Sequence, residues 1–255
     1  MSPRPGRLGI GVIGAGHVGP ILAAALAGAG HALIGISAIS QASRDRAEAL
    51  LPNVPVLTVP EVVERSELVI IAVPDDQLES LVTGLAATGT WQPGQLVLHT
   101  SARYGTNVLL PAQRAGAIPL AIHPAMVFTG TSLDIARLAD SYFAVTAPAP
   151  VLPIAQALVV EMGGEPVIVA EGDREVYAEA IETATAFSSS IVEQSTGLLS
   201  EIGIDAPGAV IAPLVRSAIE NALTRTGARH PLDDLDRGQA NHLLDPPYPF
   251  DPEDQ

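Results

Sequence analysis

The chain contains no cysteine and no lysine. Without cysteine there are no thiolate nucleophiles, no disulfides and no thiolate metal sites. Without lysine there is no Schiff-base chemistry and no lysine general acid. The histidines lack metal-ligand spacing and no His-Glu-x-x-His pattern occurs, so no metal site is expected. Any chemistry must come from His, Asp, Glu, Tyr, Ser, Thr or Arg. Positive charge is scarce as well. Thirteen arginines stand against 28 acidic residues, for a formal net charge of −15 at pH 7. Such a surface repels a phosphate backbone, which argues against a nucleic-acid partner. An anionic ligand would have to be held locally, by arginines or helix N-termini.

What is present reads as a globular α/β protein. Hydrophobic residues make up 47% of the 255, enough for a proper core in one large domain or two modest ones. The uncharged stretch 8–43 is long enough on paper to cross a bilayer. Glycines and histidines around Gly14–Pro20 and Gly30-His31 interrupt it, however, so a cytoplasmic protein with no membrane partner is expected. Short apolar runs alternate with amphipathic or alanine-rich segments, as in a parallel sheet covered on both faces. Strands are predicted at Leu8–Ile13, Ala32–Ser37, Pro55–Thr58, Leu68–Val73, Leu96–Thr100, Ile118–Ile122, Phe143–Thr146 and Pro166–Ala170. Helices are predicted at Val18–Ala29, Ser43–Leu51, Gln77–Thr88, Asn107–Ala115 and Pro153–Met162. After Asp173 the strand signals stop, and 173–201 and 207–225 read as two long helices. The expected organisation is a Rossmann-type, mostly parallel sheet over residues 1–171, then a smaller all-α domain over 172–244. An acidic, proline-rich tail at 245–255 is expected to be disordered.

The strongest motif is Gly14-Ala15-Gly16-His17-Val18-Gly19, which follows a strand directly and opens a helix. That context suits a dinucleotide. The first glycine permits a tight turn, the second lets backbone approach a pyrophosphate, and the third allows close helix–strand packing. His17 and Val18 belong to the same loop, whose amides face the phosphates. An NAD-binding chain usually places an acid at the end of the second strand to bond the ribose. Here no acid precedes Asp45; Ser37, Ser40, Ser43 and Arg44 offer hydroxyls and a guanidinium suited to a ribose phosphate, which favours NADP(H). The bland alternative is that Ser43 caps a helix and Arg44 is solvated. Val73-Pro74-Asp75 would wall the cofactor's middle, or simply form a turn with an aspartate cap.

Two further stretches follow strands and should reach the same edge. One is His99-Thr100-Ser101-Ala102-Arg103-Tyr104-Gly105, the other His123-Pro124-Ala125-Met126. Thr100 is placed with the cofactor and Ser101 and His123 with the reacting centre, whereas His99 is read as structural. His123 precedes a proline, which holds it extended before a turn and aims its imidazole. Tyr177, on the first long helix, completes the candidate catalytic set.

On these residues the chain resembles the Rossmann-like oxidoreductases with a C-terminal helical domain of unknown function. They belong to the 6-phosphogluconate-dehydrogenase-like group, near pyrroline-5-carboxylate reductase and ketopantoate reductase. The resemblance covers about residues 7–177, through Gly14–Gly19, Ser37-Ala38, Ala72–Asp76, His99–Ser101, His123–Met126 and Met162–Pro166. It implies NADP binding, a cleft between domains, and a homodimer built through the C-terminal helices. It thins where the family carries a His-Gly-Ala-Asn-His stretch, here Thr183-Ala184-Thr185-Ala186-Phe187. The implied activity is reduction of a small 2-oxo acid or imine, with Arg103 or Arg216 to receive a carboxylate. The alternative is an NADP(H)-binding protein without turnover.

Overall fold

The computed structural model describes residues 7–226. The tail at 245–255 lies outside them. Seven strands form one sheet: β1 (Gly9–Ile13), β2 (Ala32–Ser37), β3 (Leu68–Ile71), β4 (Leu96–His99), β5 (Ile118–Pro124), β6 (Tyr142–Thr146) and β7 (Glu165–Ile168). Their spatial order is β2-β1-β3-β4-β5-β6-β7. All neighbours are parallel except β5 and β6. The chain leaves β1 toward β2 on one side and resumes with β3 on the other, so β1/β3 is the switch point where open α/β sheets bind ligands. Register then aligns the edge. Ile13 pairs with Ile71, Ile71 with His99, and His99 with Ala121, so the loops that follow β1, β3 and β4 open at one level.

The expected strand at Pro55–Thr58 is reduced to a single bridge between Val56 and Ile36. Pro55 has no amide to donate, and a helix begins at Val59, which stops the ladder from extending. That helix, α3 (Val59–Arg65), was not anticipated. Its start signal is nevertheless in the sequence: the Glu61 carboxylate accepts from the amide and hydroxyl of Thr58.

The remaining helices of the sheet region are α1 (Gly19–Gly28), α2 (Gln41–Leu50), α4 (Asp75–Ala87), α5 (Leu110–Arg114), α6 (Leu133–Arg137) and α7 (Leu152–Glu161). The predicted helix over 107–115 is instead a 3₁₀ turn at Thr106–Leu109 followed by the short α5. Two helix starts also differ from expectation. Ser40, not Ser43, caps α2, its hydroxyl accepting from the Ser43 amide. Pro74 occupies the cap position of α4, with Asp75 and Asp76 in the first turn, where their charges suit the helix dipole.

Packing covers both faces of the sheet, with Leu22, Leu26, Leu120 and Phe143 on one side and Val62, Val82, Trp91 and Leu109 on the other. At the far edge from the glycine loop, a buried His31 ties three elements together. Its Nδ1 accepts from the Leu8 amide at 3.0 Å, and its Nε2 meets the Glu161 carboxylate at 2.7 Å.

Backbone contacts divide the chain into two units, Met1–Thr185 and Ala186–Gln255. The division falls within α8 (Arg174–Glu201), and α9 (Pro207–Arg225) follows. In the second unit Phe187, Ile191, Leu198, Leu214 and Leu223 are exposed. No helix of the described residues is long and apolar enough to cross a membrane.

Phe143 is fully buried, and Gly164 lies against its ring. Phe143→Ala should cost about 3–5 kcal/mol of unfolding free energy. Urea denaturation measures it, and a loss below about 1 kcal/mol would contradict this packing.

Candidate active site

The three glycines of the loop do three different things. Gly14 has φ = 103°, a left-handed conformation that an L side chain resists, and a Cβ there would overlap the Ala72 carbonyl. Gly16 faces open space, since a Cβ there would meet nothing within 4 Å. Gly19 packs against the turn and the strand ends: a Cβ there would overlap the Gly14 carbonyl oxygen and lie 3.0 Å from Val12 of β1 and 3.1 Å from Ala72 just past β3. Val18 is the cap of α1, with no side chain bonded to the helix start and no acid in the first turn. Its amides and dipole are thus offered outward, to an anion.

A cavity of about 500 Å³ opens beside this loop. Gly14, Gly16, Ser37, Ser40, Ser43, Val73 and Pro74 line it, so seven of the sequence candidates share one wall. His17, Val18, Gly19, Arg44, Asp75 and Thr100 lie outside that lining. Ser37 accepts from the Gly14 amide at 3.3 Å, joining the end of β2 to the glycine turn. Ser43 donates back to the Ser40 carbonyl at 2.8 Å. Arg44 is exposed, whereas Arg46, two residues on, donates to the Ala15 carbonyl at 3.0 Å. The Thr129-Gly130 turn lies over the same place, with His17 and Arg46 against Gly130. A buried Asp134 carboxylate holds that turn by accepting from the amides of Thr129 and Gly130. Burial opposes its ionisation, but these bonds outweigh burial and keep the carboxyl below its ordinary range.

The second cluster lies further along the same edge. His123 Nδ1 and the Tyr177 hydroxyl are 2.8 Å apart, and their rings meet edge to face. Residues 54 positions apart are thereby joined by one hydrogen bond. The Ser101 hydroxyl is engaged in the loop after β4. It accepts from the amides of Arg103 and Tyr104 at 3.1 and 3.2 Å, which makes Ser101 a turn-former. His99 is fully buried and structural, as expected: it accepts from the Ser101 amide and donates to the Gly105 carbonyl. Arg103 meets Glu182 at 3.8 Å across an exposed surface, and Arg216 lies on α9 in the second unit.

The residue that sequence reasoning missed is Arg174, the first of α8. It is almost fully buried and stands one helical turn before Tyr177, with its guanidinium 5.9 Å from the ring centre. Burial, then the positive charge of Arg174, pushes His123 down to about 4. Burial lowers His99 to about 4 as well. Burial raises Tyr177, and Arg174 opposes that rise. At neutral pH the pair is therefore a neutral imidazole and an intact phenol. Among the described residues no group of three or more acidic or histidine side chains could hold a metal.

Two family models match. A Rossmann-like domain matches residues 2–124, and a domain of unknown function (DUF2520) matches 141–230. Solved structures share the fold. A candidate NADP oxidoreductase from Bacteroides fragilis is 20% identical with a TM-score of 0.71, over 93% of this chain and 90% of that one. An imine reductase from Streptomyces aurantiacus is 16% identical with a TM-score of 0.65, over 92% and 77%. A pyrroline carboxylate reductase from Plasmodium falciparum, with NADP bound, is 13% identical with a TM-score of 0.59, over 94% and 85%. A search of curated proteins finds no match.

Two outcomes follow from this geometry. Gly14→Ala should destabilise by more than about 1–2 kcal/mol, from strain and overlap together. Gly16→Ala should stay within about 0.5 kcal/mol, because its Cβ meets open space. Equal losses in thermal melts would contradict the assigned roles. The second concerns pH. The ordinary value for histidine is 6.5, and both His99 and His123 lie near 4 in the folded chain. Between those values the unfolded chain binds protons that the folded chain does not, so stability falls as pH drops from 6.5 toward 4. Above 6.5 neither residue contributes. Each adds a slope of up to about 1.4 kcal/mol per pH unit. Urea midpoints across this window, compared with His99→Gln, should show the variant losing one share of the slope.

Proposed function

We propose that this chain is an NADP(H)-dependent oxidoreductase that reduces a small 2-oxo acid or an imine. One observation carries the reading: an open phosphate-type loop and a His–Tyr pair share the carboxyl edge of one sheet. The residues fit the cofactor. Gly16 leaves room for a pyrophosphate, the start of α1 presents amides, and Ser40 and Ser43 stand where β2 ends without an acid. Arg46 and Arg44 supply positive charge near that wall for a ribose phosphate, in a chain that is otherwise strongly negative. Bound there, the nicotinamide supplies a hydride. The chain's own part is to orient the reactants, exclude water, and hold a proton at the Tyr177 hydroxyl and the His123 imidazole.

The NADP oxidoreductase and reductase names among the structural neighbours agree with this reading, at identities that speak for the fold alone. A homodimer through the C-terminal helices belongs to the same proposal. Phe187, Leu198, Leu214 and Leu223 are exposed apolar groups that a second copy would cover. A second reading, cofactor binding without turnover, draws on Thr183–Phe187, where the residues offer no imidazole.

Titration with NADPH and NADH, followed by nicotinamide fluorescence, should give at least about tenfold tighter binding of NADPH. Equal affinities would remove the cofactor preference. His123→Ala should keep NADPH affinity and lose about 10²–10⁴-fold in turnover of the active carbonyl or imine. Unchanged turnover would take His123 out of the reaction.

A further inference from the structure

The His123–Tyr177 pair rests on a cation whose charge is not neutralised by an ion pair. The guanidinium of Arg174 donates to Thr146 Oγ1 at 2.8 Å, the Ala121 carbonyl at 2.9 Å, the Ala144 carbonyl at 3.2 Å and the Ser101 carbonyl at 3.4 Å. Every acceptor is a neutral oxygen, and among the described residues no carboxylate pairs with it. The nearby Glu171 is committed elsewhere, accepting from the amides of Thr106 and Asn107. Neutral oxygens are its only hydrogen-bond acceptors and Glu171 acts on it only at a distance, so this buried charge still projects its field onto the face of the Tyr177 ring. The other titratable groups around the pair are His99 on β4, which is neutral, and Glu171 in the 3₁₀ turn before α8.

We infer that Arg174 is the positioning residue of this pair and that its buried charge selects a neutral carbonyl, rather than an iminium cation, as the group reduced. The inference rests on the oxidoreductase reading. The proton balance leads to it by either tautomer. A carbonyl that accepts hydride at carbon moves its π electrons to oxygen, and that oxygen needs a proton. If His123 carries its hydrogen on Nδ1, it donates to the tyrosine oxygen and the phenol gives its proton directly. If the hydrogen is on Nε2, that proton leaves while the phenol proton moves to Nδ1. Both routes end in the same state: a phenolate at Tyr177, a neutral His123 donating from Nδ1, and Arg174 behind the ring. The phenolate recovers its proton from water. Its charge is opposite to that of Arg174, so the cation stabilises what the reaction leaves behind. An iminium already carries its proton and needs no donor, and its positive charge is repelled by the same guanidinium.

Tyrosinate absorbance reads the phenol without any cofactor, and the difference spectrum against Tyr177→Phe assigns the signal to this residue. Arg174→Gln should lower the ionisation constant of Tyr177 at least about tenfold, and Arg174→Lys should hold it within about threefold. An unmoved titration in a folded Arg174→Gln variant overturns the positioning role. Where Arg174→Gln does not fold, a tenfold or larger drop in Arg174→Lys overturns it. NADPH consumption with ketopantoate and with 1-pyrroline tests the selection. Turnover of ketopantoate alone supports it, whereas turnover of 1-pyrroline at an equal or greater rate overturns it. Absence of NADPH binding removes the oxidoreductase reading and the selection with it; the tyrosinate titration still decides the positioning role.

Discussion

The guanidinium of Arg174 occupies a place where a cation is costly, and four neutral oxygens from three separate parts of the chain hold it there. Ala121 comes from β5, Ala144 and Thr146 from β6, and Ser101 from the loop after β4. One side chain thereby fixes the start of α8 against the sheet. It sets where Tyr177 falls one turn later, within hydrogen-bond distance of His123. Removing such a group leaves four oxygens to find other donors, so the site and this part of the fold share a single point of support.

The antiparallel pair β5/β6 matters for the same reason. Ala121 pairs with Thr146 and His123 with Ala144, so the oxygens that Arg174 meets flank the histidine it acts on. A wholly parallel arrangement would carry β6 in the other direction and present a different row of carbonyls. On the opposite wing the parallel register brings Gly14, Ala72 and Thr100 just past the aligned ends of their strands. The two wings divide the labour. One lines its cavity with amides and hydroxyls, and the other holds a proton beside a buried charge.

Much of this was legible in the residues. Uniformly apolar runs such as Leu68–Ile71 are strands buried on both faces, and the glycine spacing names its own turn. Boundaries failed where a local rule had a competitor. Pro55 withholds an amide, so a β-branched stretch became one bridge. The Thr58–Glu61 capping box started a helix inside what looked like connection. At the site, His123 and Tyr177 could be named separately, but their contact spans 54 positions and only the fold supplies it. Arg174 was missed because arginines are usually exposed, and nothing local marks one whose acceptors lie 28 to 73 residues away.

On the oxidoreductase reading, the glycine-loop cavity and the His–Tyr pair serve one ligand. A crystal structure with NADPH bound tests it most directly. The expected result is a pyrophosphate against Gly16 and the start of α1, an adenosine ribose phosphate beside Ser40 and Ser43, and a nicotinamide ring on the side of His123 and Tyr177. NADPH seated away from the glycine loop, or lying in it with the nicotinamide directed away from that pair, would contradict it.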